Sequence, residues 1–265
     1  MATTLQRGSS GPEVRALQQR LNELGAAPPL AVDGAFGERT HAAVVAFQTA
    51  RGLAPDGVVG PLTRAALGLD GGTGGTGEPQ DFKAGVPVPV GINPGVSAAR
   101  QATMLSILGR PGELTENCSP VTDQRLARLM VESADVGPFQ VTGIRPAVEA
   151  LQRLFAAVRQ AEPALFSSLG TAGMLCVRRV RRTSPPPSPN FSNHSWGTAI
   201  DIKIDGVLDP VGNGQAMRGL VLLHPFFNAE RFFWGAGFGG GGEDSMHFEA
   251  SDELVQDWSR QGVLE

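Results

Sequence analysis

The stretch Ser192–Asp205 reads SNHSWGTAIDIKID and holds one of the four histidines of the chain. From Ala199 onward, apolar and polar residues alternate, a pattern typical of a strand with one buried face. Asp201 then lies on the polar face, next to the bend of small residues that carries His194. A histidine and an aspartate around such a bend are suited to hold one metal ion, provided that a third ligand lies elsewhere in the chain.

A candidate third ligand lies near the C-terminus, in WGAGFGGGGEDSMHFEAS (residues 234–251). His247 sits in the short strand-like run MHFE, and Glu243 and Asp244 precede it in a Gly-rich loop. Catalytic zinc is commonly held by three protein ligands that leave a fourth position for water. An acidic residue beside that water can act as general base. The two segments together predict one zinc ion on two histidines and an aspartate.

Bulk composition narrows the classes of protein. The chain has 265 residues, of which 41% are hydrophobic and 18% charged, which suits one large or two modest folded domains. A net charge of −4 argues against a protein held on nucleic acid by bulk charge. No apolar run reaches the length of a membrane span, and the N-terminus lacks the pattern of a secretory signal. Export is therefore expected through a holin or a secretion apparatus, unless the N-terminus is incomplete.

A Gly-rich stretch, GLDGGTGGTGEPQ at residues 68–80, has the composition of a linker. It predicts a small unit at 1–67 and a larger one at 81–265. The small unit contains a repeat, VDGAFGERTHAAV at 32–44 and PDGVVGPLTRAAL at 55–67. Each Asp-Gly pair favours a tight turn, and each later Thr stands near the start of an amphipathic helix. With a first helix around Val14, Leu17 and Leu21, the pattern predicts a bundle of three short helices.

The small unit resembles the type 1 peptidoglycan-binding domain that is appended to many cell-wall hydrolases. The resemblance covers essentially the whole unit, including both Asp-Gly pairs and the Phe47-Gln48 pair. It implies that the partner is bacterial peptidoglycan. It does not imply which residues touch glycan or stem peptide.

The larger unit begins with helical periodicity. Residues 96–170 are predicted to be helical, with clear helices in SAARQATMLSILG (97–109) and RPAVEALQRLFAAVRQ (145–160). GMLCVRRV (173–180) is predicted to be a strand, as is TAIDIKI (198–204). Cys118 and Cys176 are the only cysteines, and the sequence leaves open whether they form a disulfide.

The larger unit resembles the zinc D-Ala-D-Ala carboxypeptidases and L-alanyl-D-glutamate peptidases of the VanY/VanX type. Those enzymes share a metal fold with lysostaphin-type enzymes and the hedgehog signalling domain. The resemblance covers most of residues 95–250 and implies an α+β fold, an antiparallel sheet with flanking helices. Its pattern is Ser-x-His-x-x-Gly-x-Ala-x-Asp, followed later by an acidic residue, two further residues and a histidine. The chain matches it at Ser192, His194, Gly197, Ala199, Asp201, Asp244 and His247.

Roles follow from this second resemblance. It implies that His194, Asp201 and His247 ligate zinc and that Asp244 activates the attacking water and later protonates the leaving amine. Glu243 is an alternative base, but only Asp244 keeps the three-residue offset to His247. The family also places an arginine before the Ser-x-His motif, where its rigid fork binds a substrate oxygen.

Arg178 and Arg179 both compete for that position, and alignment favours Arg178. Ser192 is expected either to contact substrate or to be only a loop or cap residue. His41 and His224 are expected to be packing or surface residues, and Asp205 a turn residue.

Three functional classes remain open at this point. The first is a zinc peptidase, acting as a monomer, that hydrolyses an amide bond in the peptidoglycan stem peptide while the N-terminal unit holds the wall. The second is a non-catalytic zinc-containing adaptor that binds the wall, which would have no need of Asp244. The third keeps hydrolysis but makes the protein an endolysin or secreted effector. D-Ala-D-Ala carboxypeptidase, L-Ala-D-Glu endopeptidase and cross-link endopeptidase activities all fit the same residues.

Overall fold

A computed structural model describes residues 4–51, 53, 55–69, 81–181, 186–239 and 242–264. The chain forms two compact units, Met1–Asp81 and Phe82–Glu265. Most of the predicted linker, residues 70–80, lies outside the described residues. Within the described part, no helix is both long and apolar enough to cross a bilayer.

The N-terminal unit contains three helices, α1 (Pro12–Glu23), α2 (Glu38–Ala50) and α3 (Pro61–Leu67). The apolar residues of α1 that recur at helical spacing face the interior, because Val14, Leu17 and Leu21 are buried. They pack in one core with Val44 and Phe47 of α2.

The sequence repeat corresponds to two copies of one buried hydrogen-bond network. In the first copy, the Gln18 side-chain amide donates to Asp33 Oδ1 (2.8 Å), the Ala35 carbonyl and Thr40 Oγ1, and its oxygen accepts from the Gly34 amide. In the second copy, Gln48 makes the same four bonds in the same order, to Asp56, Val58, Thr63 and Gly57. Each glutamine therefore ties a helix to the Asp-Gly turn and to the start of the next helix.

The C-terminal unit combines helices with antiparallel sheets, so the α+β fold class is confirmed. Its strands are β1 (Gly85–Pro87), β2 (Met130–Asp135), β3 (Gln140–Ile144), β4 (Leu169–Gly173), β5 (Ala199–Ile204), β6 (Gln215–Met217), β7 (Phe232–Trp234) and β8 (His247–Ala250). Its helices are α4 (Gln101–Leu108), α5 (Gln124–Leu129), α6 (Arg145–Ala161), α7 (Pro163–Ser168), α8 (Arg218–Ala229) and α9 (Asp252–Arg260). A four-stranded sheet has the order β4-β5-β8-β7, while β2 pairs with β3 and β1 with β6.

Strand β5 forms as predicted from its alternation. Ile200, Ile202 and Ile204 are fully buried, whereas Asp201 and Lys203 on the opposite face are partly exposed. Helix α4 lies within its predicted range, and α6 begins at its predicted residue Arg145 and ends at Ala161, just past its predicted end.

Two predictions for this unit are wrong. Residues 130–144 were expected to be helical, but they form the β2–β3 hairpin. The register of this hairpin shifts between Val131 and Ala134, and the resulting bulge interrupts the two-residue alternation by which a strand is recognised in a sequence. Residues 174–180 do not continue as a regular strand beyond β4. They make isolated bridges instead, Ser119 with Val177 and Arg179 with Phe191. Cys176, in the same segment, forms a disulfide with Cys118, a pairing that the sequence alone left open.

His224 lies inside α8 and has a structural partner. Pro225 has no amide hydrogen, so it cannot donate to the Val221 carbonyl four residues earlier. The His224 Nδ1–H group donates to that carbonyl instead, at 2.7 Å. The ring also stacks on Trp234, with ring centroids 4.7 Å apart. Burial lowers the pKa of His224 to about 4, so the ring is neutral at physiological pH.

Candidate metal centre

Three elements bring the candidate ligands together. His194 is on a 3₁₀ turn, Asn193–Trp196, that leads into β5. Asp201 is on β5 and His247 on β8, and the two residues are direct partners in the antiparallel register. Directly paired residues point to the same face of a sheet, so sequence positions 46 residues apart become neighbours.

Gly197 explains why small residues follow the histidine. It ends the 3₁₀ turn with a φ of 62°, in the left-handed region that favours glycine. A Cβ atom at this position would lie 2.7 Å from Gly143 Cα of β3. The bend therefore serves both the turn and the close approach of the hairpin.

The distances fit a divalent metal ion. His194 Nε2 lies 3.2 Å and His247 Nδ1 3.1 Å from Asp201 Oδ1. All three atoms lie within 4.8 Å of one another, and no other such cluster of three metal-ligating side chains occurs among the described residues. Tetrahedral zinc with ligands at about 2.0–2.1 Å separates its ligand atoms by about 3.3 Å. The distances from Asp201 Oδ1 to the two histidine nitrogens thus match those between neighbouring ligands of one zinc ion.

The other nitrogen of each ring is held in place by a second group. His194 Nδ1–H donates to the Met174 carbonyl at 3.0 Å, which orients the ring so that Nε2 faces Asp201. His247 Nε2 lies 2.9 Å from Glu249 Oε2. Partners of this kind fix the tautomer and the orientation of a metal-binding histidine.

Glu249 is a residue that the sequence analysis missed. It is only 2% exposed, and besides His247 its carboxylate accepts from Asn193 Nδ2 and the Ala99 amide. The available signal was its position two residues after His247 on one strand, which places both side chains on the same face.

The charges and hydrogen bonds of Asp201 and His247 favour a bound cation in the cluster. Burial disfavours the charged form of Asp201, but hydrogen bonds from His194 and His247 hold the pKa of this carboxyl well below its usual range. Burial likewise disfavours a charged His247, yet hydrogen bonds to Asp201 and Glu249 raise its pKa to about 10. One imidazole between two carboxylates must carry either a second ring proton or a metal ion, so the donor set fits a bound cation.

Asp244 differs from Glu243 in what its carboxylate contacts. Asp244 Oδ1 is buried and has no hydrogen-bond partner among the described residues. Burial raises the pKa of Asp244, while the charges of His247 and His194 lower it. Glu243 Oε1 is also buried without a partner, but Glu243 Oε2 accepts from the Gly214 amide at 2.7 Å and so ties the side chain to another loop. Of the two candidates, Asp244 is the one whose charge acts on the cluster.

The loop that carries Asp244 is anchored on both sides. Trp234 Nε1 donates to the Ser245 carbonyl, and Ser245 Oγ donates to Asp209 Oδ2, both at 2.6 Å. Asp209 is buried and also accepts from the Met217 amide at 2.7 Å. The sequence analysis did not single out Asp209, since an aspartate before Pro210 has the pattern of a turn.

The two arginine candidates have different environments. Arg178 is 9% exposed; burial lowers the pKa of its guanidinium, and the carboxylates of Asp201 and Asp244 oppose that effect. Arg179 instead donates to the carbonyls of Ser188 and Leu114 and pairs with Glu116. Only Arg178 therefore directs its charge at the cluster.

The remaining predicted residues have contacts of their own. Ser192 is buried, and its amide donates to the Arg178 carbonyl at 2.9 Å, so the serine lies beside the arginine. His41, in the N-terminal unit, contacts Arg7. Asp205 has a φ of 48°, as expected of a turn residue. Part of the Pro-rich loop before Ser192, residues 182–185, lies outside the described residues.

Comparison with known proteins gives two separate matches. Residues 10–67 match the family model of a peptidoglycan binding domain, and residues 187–250 match that of D-alanyl-D-alanine carboxypeptidase. The second range includes all three candidate ligands and Asp244.

Individual relatives share only part of the chain. It is 54% identical over 61 residues to the zinc D-Ala-D-Ala carboxypeptidase of Streptomyces albus G, covering 23% of this chain and 24% of that protein. It is 38% identical over 91 residues to the N-acetylmuramoyl-L-alanine amidase CwlL of Bacillus licheniformis, covering 34% and 25%. The chain thus spans about a quarter of the length of both curated relatives.

Among solved structures, the Burkholderia AP3 phage endolysin is similar at 22% identity and a TM-score of 0.24, with 58% of this chain and 38% of that chain covered. Family similarity thus rests on two stretches of the chain, residues 10–67 with a peptidoglycan binding domain and residues 187–250 with D-alanyl-D-alanine carboxypeptidase.

Proposed function

We propose that the chain is a zinc-dependent peptidase that hydrolyses an amide bond in the stem peptide of peptidoglycan, outside the cytoplasm. One observation carries the proposal. His194 Nε2 and His247 Nδ1 lie 3.2 Å and 3.1 Å from Asp201 Oδ1, and the partly buried carboxylate of Asp244 interacts electrostatically with all three residues. The family match over the same residues supports the assignment.

The metal would be held by one nitrogen from each histidine and one oxygen from Asp201. When bound there, zinc would act as a Lewis acid on the scissile carbonyl and make the attacking water more acidic. The partners of the rings, the Met174 carbonyl and Glu249, keep the two nitrogens aimed at the same point.

Asp244 would take a proton from the attacking water and then deliver it to the leaving amine. Its pKa is raised by burial, and a raised pKa brings a carboxylate closer to the range in which it both accepts and returns a proton. Arg178 would hold a substrate oxygen, because its guanidinium is largely buried near Asp201 and Asp244 and, among the described residues, forms no ion pair like that of Arg179 with Glu116. Ser192 would contact substrate beside it.

The N-terminal unit would hold the protein on its polymer. Tethering raises the local concentration of substrate without adding a catalytic contact. The ligands, the base and the arginine all come from one chain, which supports action as a monomer. A wall-binding adaptor would need neither Asp244 nor a raised carboxyl pKa, so the catalytic role is the better account of this site.

Mass spectrometry of purified muropeptides, incubated with the zinc-loaded chain and with Asp244→Ala, tests the proposal. Loss of one terminal alanine that requires Asp244 would identify a carboxypeptidase. Release of a shortened peptide at L-Ala-D-Glu, or splitting of cross-linked dimers, would identify an endopeptidase and favour the endolysin or effector role. An unchanged muropeptide profile, with zinc bound and wall binding intact, would refute the enzyme and leave the adaptor.

A further inference from the structure

A groove of about 380 Å³ lies between the β2–β3 hairpin and the segment that follows β4. The hairpin contributes Ser133 and residues 140–142 to its lining, and residues 173–175 form the opposite wall. This volume falls within the range of about 300–1,000 Å³ that is usual for sites of small ligands.

The groove and the metal centre share one wall. Gly173 is the register partner of Asp201, and the Met174 carbonyl accepts the hydrogen bond from His194 Nδ1. A molecule that presents an amide bond to the metal centre is therefore bound beside the groove. The rest of such a molecule can continue along it.

The lining favours an uncharged peptide. Among the residues that line the groove there is no ionisable side chain and no aromatic ring on which a sugar could stack. Ser133, Gln140 and Thr142 offer hydroxyl and amide groups. In the described part of the chain, the backbone amide and carbonyl of Leu175 make no hydrogen bond, so an extended peptide can pair with them as an added strand.

The hairpin is locally distorted at the groove. Ser133 has a φ of 47°, which is uncommon for a residue other than glycine, and it lies in the bulge between Val131 and Ala134. The Ser133 amide is held by Thr142 Oγ1 at 3.2 Å. Bulges beside active sites re-aim a side chain, and here the re-aimed residue is one that lines the groove.

We propose that this groove binds the uncharged segment of the stem peptide next to the scissile bond, with Leu175 pairing to its backbone and Ser133 and Gln140 contacting it from the hairpin. The inference rests on the proposed peptidase function and adds to it a site that selects peptide length. A substrate cut to the residues around the scissile bond would not reach the groove, whereas a longer stem peptide would fill it.

A substitution that places a bulky side chain in the groove tests the proposal. Gln140→Trp places an aromatic residue at an exposed strand position, which strands tolerate. Glu132→Trp is the matched control, because Glu132 is exposed on the same hairpin but does not line the groove. For the zinc-loaded full chain, kcat and KM are measured on a synthetic stem pentapeptide ending in D-Ala-D-Ala and on the shortest peptide that the wild type cleaves.

We expect Gln140→Trp to raise KM for the pentapeptide by about tenfold, equivalent to about 1.4 kcal/mol, and to leave the shortest peptide and zinc affinity within about twofold. Glu132→Trp should change neither KM. Equal effects of Gln140→Trp on long and short peptides, or no effect on either, would overturn the proposal.

A binding measurement separates this inference from the proposed function. Calorimetry of the uncleaved pentapeptide with Asp244→Ala, alone and combined with Gln140→Trp or Glu132→Trp, does not depend on turnover. If the wild type cleaves no peptide, the peptidase proposal fails, and the groove is then judged by this arm alone. A selective loss of affinity in the Gln140→Trp variant supports it, and equal affinities refute it.

Discussion

In the N-terminal unit, Gln18 and Gln48 are buried and every polar atom of their amides is used: the nitrogen donates and the oxygen accepts. In the C-terminal unit, Asp244 Oδ1 is also buried, yet it has no partner among the described residues. Because an unpaired buried polar group is costly, a folded chain retains one chiefly where it serves something other than stability. Gln101 Nε2, Arg179 Nε and Glu243 Oε1 are buried without a hydrogen-bond partner as well, so Asp244 stands out because its charge also interacts with His194, Asp201 and His247. The fully bonded glutamines thus serve architecture, whereas Asp244 combines an unpaired buried oxygen with a place beside the candidate ligands.

Replacing Asp244 tests that contrast with the largest expected effect. Asp244→Asn should lower kcat/KM for a stem peptide by about 10²–10⁴-fold, the usual contribution of a general base. The melting temperature should not fall, because the change removes a buried charge that has no hydrogen-bond partner at Oδ1. Steady-state kinetics and thermal melting measure the two effects.

Glu243→Gln is the control for Asp244, and its activity loss should be much smaller. If Asp244→Asn retained near wild-type turnover while Glu243→Gln abolished it, the assignment of the base would have to be reversed.

His224 tests whether a buried titratable side chain can contribute to stability alone, without a role in the candidate site. Its folded pKa of about 4 lies below the ordinary 6.5, so the unfolded chain binds more protons between these values. Stability is therefore complete above about pH 6.5 and falls as pH drops toward 4, by up to about 3 kcal/mol. Urea unfolding at a series of pH values, compared with His224→Phe, isolates this contribution.

His224→Phe keeps an aromatic ring against Trp234 but cannot titrate. Its free energy of unfolding should depend less on pH than that of the wild type over this interval. Parallel pH profiles for the two proteins would mean that His224 is not held neutral by the fold.

Replacing Gln18 tests whether the buried hydrogen-bond network of the N-terminal unit contributes to stability and not to activity. Gln18→Ala leaves the Gly34 amide and the Ala35 carbonyl without this partner, which should destabilise the N-terminal unit by about 2 kcal/mol. Amide hydrogen exchange across α1 and α2 reads out this loss, and Gln48→Ala should cost about as much.

Gln19→Ala, at the adjacent exposed position of α1, is the control and should leave exchange unchanged. Turnover of a small soluble peptide should be the same in all three variants, because the network lies in the other unit. A loss of that turnover in Gln18→Ala would break the proposed division between architecture and chemistry.

Glu249 is the intermediate case, a satisfied buried carboxylate that acts on the site through a ligand. Glu249→Gln should weaken zinc binding by about 10–100-fold, since groups that orient a metal-binding histidine typically contribute this much. Competition with a chromogenic chelator measures the affinity. Glu230→Gln, which alters only an ion pair with Arg153, should leave it unchanged. Equal zinc affinities for wild type and Glu249→Gln would show that the carboxylate does not support His247.

Local patterns predicted part of this molecule. The alternation at residues 199–204 is visible in the sequence because every second residue of β5 is buried on one side. The β2–β3 hairpin was missed because its bulge interrupts that period. Residues 174–180 have the composition of a strand, but their partners are single residues in loops, a disulfide and the His194 turn, which no local pattern encodes.

By itself, the sequence determined the candidate ligands, the two-unit composition and the repeat of the N-terminal unit, because each of these is a pattern of residue types at fixed spacing. Only the tertiary structure showed that Arg178 and Arg179 have different surroundings, as do Asp244 and Glu243, and that Glu249 contacts His247 while Asp209 contacts Ser245. Those distinctions depend on burial and on partners from distant segments. The physical reason is that a side chain's chemistry is set by what surrounds it, and its neighbours in space are mostly not its neighbours in the chain.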